Sequence, residues 1–329
     1  MKNIYRFTLI SAALLFYLNC VPEAPHSNPL DPYRANTAGT GIELFGQTLQ
    51  KNEPHLPIDS CLVLISPGDI FRLSNPNGEF RVPNLQPGVY QLIFNRERFA
   101  TDTFRINTDT LSQAQVHFYL NGLPSVQKFR IYSEFIDQWW PDPFYTVNFS
   151  LIAGDIDGTE DLIKKEVRIP ELNISAEFAE TSRPDSFFVQ LTDRDLPNND
   201  IFALIGKPVY VVLEDQSQAA ANAGPFQLVR VIATSPDSLS PTGLESVAPQ
   251  PIFTWKPYTA NFDFTYEISV FVINTGIPIL IHSVTGIPVE QNSYSYPDSL
   301  PSGKYFWTVG VRDEMGNLSR SKEAAFLVE

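Results

Sequence analysis

The sequence predicts an all-β protein: tandem β-sandwich domains placed after a cleaved N-terminal signal and a proline-rich tether. Three observations carry that prediction. Val, Ile, Thr and aromatic residues fall in short runs with period-two alternation, separated by Gly, Pro, Asn and Asp. The 27 prolines outnumber the 23 Lys and Arg together, so the chain is broken too often for long helices. Hydrophobic content of 43% against 18% charge describes a globular chain, and 329 residues suffice for two or three domains.

The first element is the leader. Lys2 and Arg6 precede an apolar core from Phe7 to Leu18. Such a core suits an export signal and is too short for a bilayer of ~30 Å, which needs about 20 residues. The run ends at "FYLNC", which offers no small-residue cleavage site of the A-x-A kind. It resembles the lipobox of bacterial lipoproteins, although Tyr17 and Asn19 stand where Leu and a small residue are usual. The resemblance implies cleavage after residue 19, with Cys20 as the lipid-bearing first residue of the mature chain. The covalent lipid on Cys20 is then the expected attachment, and no other cofactor is expected. More than one acyl chain, at about 0.8 kcal/mol per buried methylene, would hold the protein durably at the membrane. The expected address is the cell envelope, at the outer membrane of a diderm bacterium. Residues 20–40 carry four prolines without apolar periodicity and read as an extended tether.

Residues 41–122 form the first expected sandwich. Phe80 and Val82 alternate with polar neighbours, as do Tyr90, Leu92 and Phe94, and Val116, Phe118 and Leu120 share a face. Asn77-Gly78 and Gln86-Pro87-Gly88 are turn signals. Gly78, Phe80, Asn84, Leu85, Pro87, Gly88, Tyr90 and Leu92 together resemble the phrase of carboxypeptidase regulatory-like domains, which implies a small, non-catalytic, transthyretin-like sandwich. Cys61, in "SCLVLI", reads as a buried small hydrophobe without a disulfide partner.

Residues 123–235 form the second expected unit, with strands in "YTVNFSLI", "FFVQLTD" and "PVYVVLED". Its "DIDGTED" turn resembles the D-x-D-G turn of bacterial immunoglobulin-like surface domains. Residues 236–329 form the third. Trp255 and the alternating Tyr305, Trp307, Val309 and Val311 resemble a fibronectin type III sandwich, with both tryptophans expected in the core.

The net charge of −14 excludes a nucleic-acid surface and a basic lipid-headgroup patch. His26, His55, His117 and His282 lack metal-ligand spacing, and no nucleophile elbow, phosphate loop or dinucleotide fingerprint is present. The expected protein is therefore non-enzymatic, with partners limited to the membrane through the lipid and to a protein or polysaccharide. A carbohydrate-binding accessory role is the alternative, and a hydrolase with a site between domains is the third reading. Two stretches are candidate sites. Asp155, Asp157 and Asp161 are expected in a solvated turn, their carboxylates accepting backbone N–H groups with near-normal pKa values. No metal is expected there. The EF-hand pattern fails, since Gly158 is fourth where a sixth-position glycine is needed. A weak Ca²⁺ site, joined by Asp193 and Asp195, is the alternative. The other stretch is "DQWWPDPFY". Trp139, Trp140, Phe144 and Tyr145 are expected to pack one sandwich on the next, with an exposed binding surface as the alternative.

Overall fold

The computed structural model describes residues 41–110, 115–274 and 276–329. The expected signal peptide, Cys20 and the tether lie outside the described residues. Among the described residues the regular elements are β-strands and single 3₁₀ turns, with no α-helix. The all-β tandem architecture is therefore the one the alternating runs predict.

The first sandwich contains β1 (Ile42–Gln50), β2 (Leu62–Ser66), β3 (Ile70–Leu73), β4 (Glu79–Leu85), β5 (Val89–Asn95), β6 (Asp102–Asn107) and β7 (Gln115–Leu120). Sheet β4-β1-β7 faces sheet β3-β2-β5-β6, and β1 runs parallel to β7. The inward residues are those of the alternating pattern: Phe80, Val82, Tyr90, Leu92, Phe94, Phe118 and Leu120 are all buried. Phe94 and Phe118 lie 4.7 Å apart at the centre of an aromatic cluster with Phe80 and Phe104. Each such side chain contributes about 1.5–3 kcal/mol by leaving water. The turns at Asn77-Gly78 and Gln86–Gly88 do not close hairpins, because β3 and β5 lie in the sheet opposite β4. Cys61 is a free thiol in this core, and burial pushes it up to about 11.

The second sandwich contains β8 (Ser125–Ile136), β9 (Phe144–Gly154), β10 (Leu162–Ile169), β11 (Ile174–Glu177), β12 (Ala179–Glu180), β13 (Ser186–Thr192), β14 (Val209–Asp215) and β15 (Ala220–Phe226). Sheet β11-β10-β14-β15 covers the face formed by β12-β13-β9-β8. Val147, Phe149 and Leu151 from one sheet meet Val167, Val211 and Leu213 from the other.

The third sandwich contains β16 (Glu245–Val247), β17 (Ile252–Thr254), β18 (Phe264–Asn274), β19 (Ile277–Ile287), β20 (Ser293–Ser295), β21 (Gly303–Asp313), β22 (Leu318–Arg320) and β23 (Ala324–Val328). Its core holds Trp255 and Trp307 with Phe253, Tyr266, Ile268 and Phe326, as the alternation predicts.

The three-residue strand β22 joins the second and third sandwiches. It pairs antiparallel with β21 and parallel with β8, placing Leu318, Ser319 and Arg320 opposite Glu134, Phe135 and Ile136. One ten-stranded sheet therefore runs through both sandwiches. The turn before β22 locks the seam. Asn317 Oδ1 accepts from Ser133 N (2.8 Å) and Oγ (3.1 Å), and Asn317 Nδ2 donates to Asp313 Oδ2 (2.9 Å). Asp313 Oδ1 accepts the N–H groups of Met315 and Asn317, and Arg230 Nη1 donates to Asp313 Oδ2 at 3.0 Å.

Candidate functional site: an acidic joint and an aromatic loop

The joint between the first and second sandwiches is built from residues 121–124. This segment still pairs with the first sandwich, since Ala100 N–H donates to Asn121 O (2.9 Å) and Leu123 N–H to Arg98 O (2.8 Å). One residue past Pro124, β8 begins. The loop from Asp155 to Asp161, between β9 and β10, folds against it. Ile156 packs on the core of the first sandwich and draws the flanking aspartates into the joint. Gly122 makes room. A methyl group there would collide with Ile156 Cγ2 and lie 2.7 Å from Asp155 Oδ1. Gly158, at φ 113°, bends the chain into the 3₁₀ turn that carries Asp161 inward.

The loop is not a solvated turn. Asp157 is 6% exposed and Asp161 1%. One local Asx bond forms, from Asp157 N–H to Asp155 Oδ1 (2.9 Å), while Asp157 Oδ2 accepts instead from Gly122 N–H across the joint (2.6 Å). Asp155 Oδ2, Asp157 Oδ1 and both oxygens of Asp161 are buried without a hydrogen-bond partner. Ligand oxygens of the three carboxylates all lie within 4.8 Å of one another.

Two further residues, unremarked in the sequence, complete the cluster. Asp215, at the end of β14, is fully buried; its Oδ1 accepts from Ala219 N (2.8 Å) and its Oδ2 from Asn121 Nδ2 (2.7 Å). Asn121 Oδ1 is itself buried and unpartnered. For Asp155 and Asp157 the near-normal pKa values expected do not hold either. Burial, reinforced by Asp157, Asp161 and Asp215, pushes the Asp155 carboxyl up to about 6. Burial also raises Asp157, with Lys51 pulling the other way. The Lys51 ammonium is engaged by Ser217 Oγ at 2.8 Å. Asp193 and Asp195 are elsewhere: they follow β13, whose Thr192 pairs with Thr146, whereas Asp155 follows the far end of β9. Asp195 instead caps its own turn through Thr192, whose N–H and hydroxyl hold its carboxyl low.

The aromatic loop connects β8 to β9 at the other joint. The packing expected of Trp139 and Trp140 is not found: they are 71% and 87% exposed. Strand β22 already closes this joint through backbone pairing, so the loop past Ile136 projects beyond the sheet. Its backbone is nevertheless held by the third sandwich. Trp139 Nε1 donates to Glu323 O (2.8 Å), Trp139 N–H to Glu323 Oε2 (3.2 Å), and Lys322 Nζ lies 4.4 Å from the ring centroid. Phe144 and Tyr145 are half-buried and do not join the exposed pair. Tyr145 stacks on Phe135 at 4.5 Å and meets Phe202 edge-on. A second apolar surface escaped the sequence reading. Ile277, Ile279, Leu280 and Ile281 are exposed on β19, an edge strand whose "IPILI" run was the available signal.

No protein-family model matches the chain, and no curated sequence relative does. Among solved structures, the chain is similar to the FN1–FN3 domains of chicken CNTN1, at 10% identity over 83% of this chain and 92% of that one, TM-score 0.32. It is also similar to fibronectin(III)-like modules of Clostridium thermocellum CbhA, at 11% identity over 63% and 93%, TM-score 0.30. Overlaps this loose carry no argument, and the sandwich assignment rests on the sheets and cores described above.

Proposed function

We propose that this chain is a non-enzymatic lipoprotein of the bacterial cell envelope, held at the outer membrane through Cys20, whose sandwiches present a binding surface away from the membrane. The observation that supports a binding role is the pair Trp139 and Trp140: two consecutive residues with large exposed rings, on a loop that the neighbouring sandwich holds at Trp139. Exposed aromatics on a fixed support lose little entropy on contact and mark interaction sites. Anchoring is supported by the apolar run from Phe7 to Leu18 ending at Cys20.

The test has two arms. Radiolabelled palmitate is incorporated by the wild type and not by Cys20→Ala, which leaves the membrane fraction; an unlabelled, soluble wild type overturns the anchor. For the surface, the double variant Trp139→Ala/Trp140→Ala is compared with wild type for capture of envelope proteins and on a glycan array. The flat exposed rings also favour the second reading, an accessory lipoprotein that binds carbohydrate. Array binding that the double variant loses selects it. Equal behaviour of the two proteins in both assays removes this loop from the function.

A further inference from the structure

Among the described residues, seven buried side-chain polar atoms lack a hydrogen-bond partner, and five of them belong to this one joint: Asn121 Oδ1, Asp155 Oδ2, Asp157 Oδ1, and Asp161 Oδ1 and Oδ2. An orphaned buried acceptor destabilises the fold, and more so when it is charged. A fold that satisfies its polar atoms elsewhere has no reason to collect five failures in one joint unless something fills it. A proton shared between two carboxyl groups pairs two of these oxygens and leaves the others without a donor. A single water donates only two hydrogen bonds and brings no charge, and the nearby cation Lys51 is already engaged by Ser217. A divalent cation takes several oxygen ligands at once and offsets their charge.

We infer that the joint between the first and second sandwiches is a Ca²⁺ site, ligated by Asn121, Asp155, Asp157 and Asp161, with Asp215 holding Asn121 in place. All donors are oxygens, with no His or Cys, which selects a hard cation over zinc or copper. Two ligands on opposite sides of Ca²⁺, at ~2.4 Å each, lie ~4.8 Å apart, the span within which the three carboxylates fall. Asp161, with both oxygens free, offers a bidentate ligand, as Ca²⁺ accepts and Mg²⁺ rarely does. The other oxygens of Asp155 and Asp157 are tied to backbone N–H groups, so the ligands are already oriented. The spacing is not an EF-hand, because the site is assembled from two sandwiches rather than one loop. Asn121 belongs to the strand pairing of the first, and the aspartates to the second. Bound Ca²⁺ therefore clamps one sandwich to the other.

The test is calorimetric titration of CaCl₂ into the chelator-stripped full chain, followed by thermal melts. One saturable binding event is expected in the wild type. At 100 times the dissociation constant, the melting temperature should rise on the order of 5–10 °C. Asp157→Asn and Asp161→Asn keep the shape and should lose both signals, and MgCl₂ should give a much smaller shift. Absence of binding in the wild type overturns the inference, as does an equal response to Ca²⁺ and Mg²⁺ or an undiminished response in both variants. The wild-type titration decides the matter alone if a variant does not fold. None of these readouts depends on the lipid or on Trp139 and Trp140, so this result and the binding proposal stand or fall separately.

Discussion

The two joints of this molecule solve one problem by opposite means. Between the second and third sandwiches, backbone does the work: β22 pairs with β8, and Asp313, Asn317, Arg230 and Ser133 satisfy one another, leaving Arg320 Nε as the orphan of that region. Between the first and second, no strand crosses among the described residues, and the side chains that meet there include five orphaned oxygens. A joint made of sheet is closed whenever the chain is folded. A joint made of unsatisfied carboxylates is completed from outside, so it can respond to what surrounds the protein.

The sharpest way to break the contrast is at the self-sufficient joint. Asp313→Ala strands Arg230, Asn317 and two backbone N–H groups, and should cost on the order of 3–5 kcal/mol. Urea melts of the full chain, with and without Ca²⁺, should show the same loss in both, because none of these side chains belongs to the proposed Ca²⁺ site. Asn317→Ala removes the bonds to Ser133 and should cost about 1–3 kcal/mol in the same assay. At the other joint, Gly122→Ala overpacks Ile156 and crowds Asp155, for about 1–3 kcal/mol. Here the predicted loss is larger in Ca²⁺ than in chelator, since the methyl group also displaces a ligand, and equal losses would put Gly122 outside the site. Smallest of all is Trp140→Ala, expected within ~0.5 kcal/mol of wild type because the ring is exposed. A larger loss by denaturant melt would return this residue to a packing role.

The elements that sequence reasoning read well are those whose signal is repeated. Tyr305, Trp307, Val309 and Val311 alternate through a long strand, and each turns inward. Strand β22 has three residues, too few for a period, and it owes its existence to pairing with Glu134, Phe135 and Ile136 of β8, far away in the sequence. Its backbone pairing supplies the adhesion that the sequence assigns to Trp139 and Trp140, and those rings stay exposed. The acidic loop failed for a related reason. Its carboxylates were visible in "DIDGTED", but Ile156, which pulls them under, reads as an ordinary turn residue until the first sandwich stands beside it. Asn121 and Asp215 carry no local motif, and only the fold assembles them with Asp155, Asp157 and Asp161.

The run of β8 also has a mechanical meaning. This strand begins just beyond the linker from the first sandwich and lies in the shared sheet, hydrogen-bonded to β9 on one side and to β22 on the other. A pull transmitted through that linker is directed along β8, across the hydrogen bonds rather than in line with them. Such bonds are loaded in shear and must yield together, whereas a strand peeled from its end gives way one pair at a time. Tension applied through the linker would thus meet the second and third sandwiches as one body, with a rupture governed by the rate of unfolding under load.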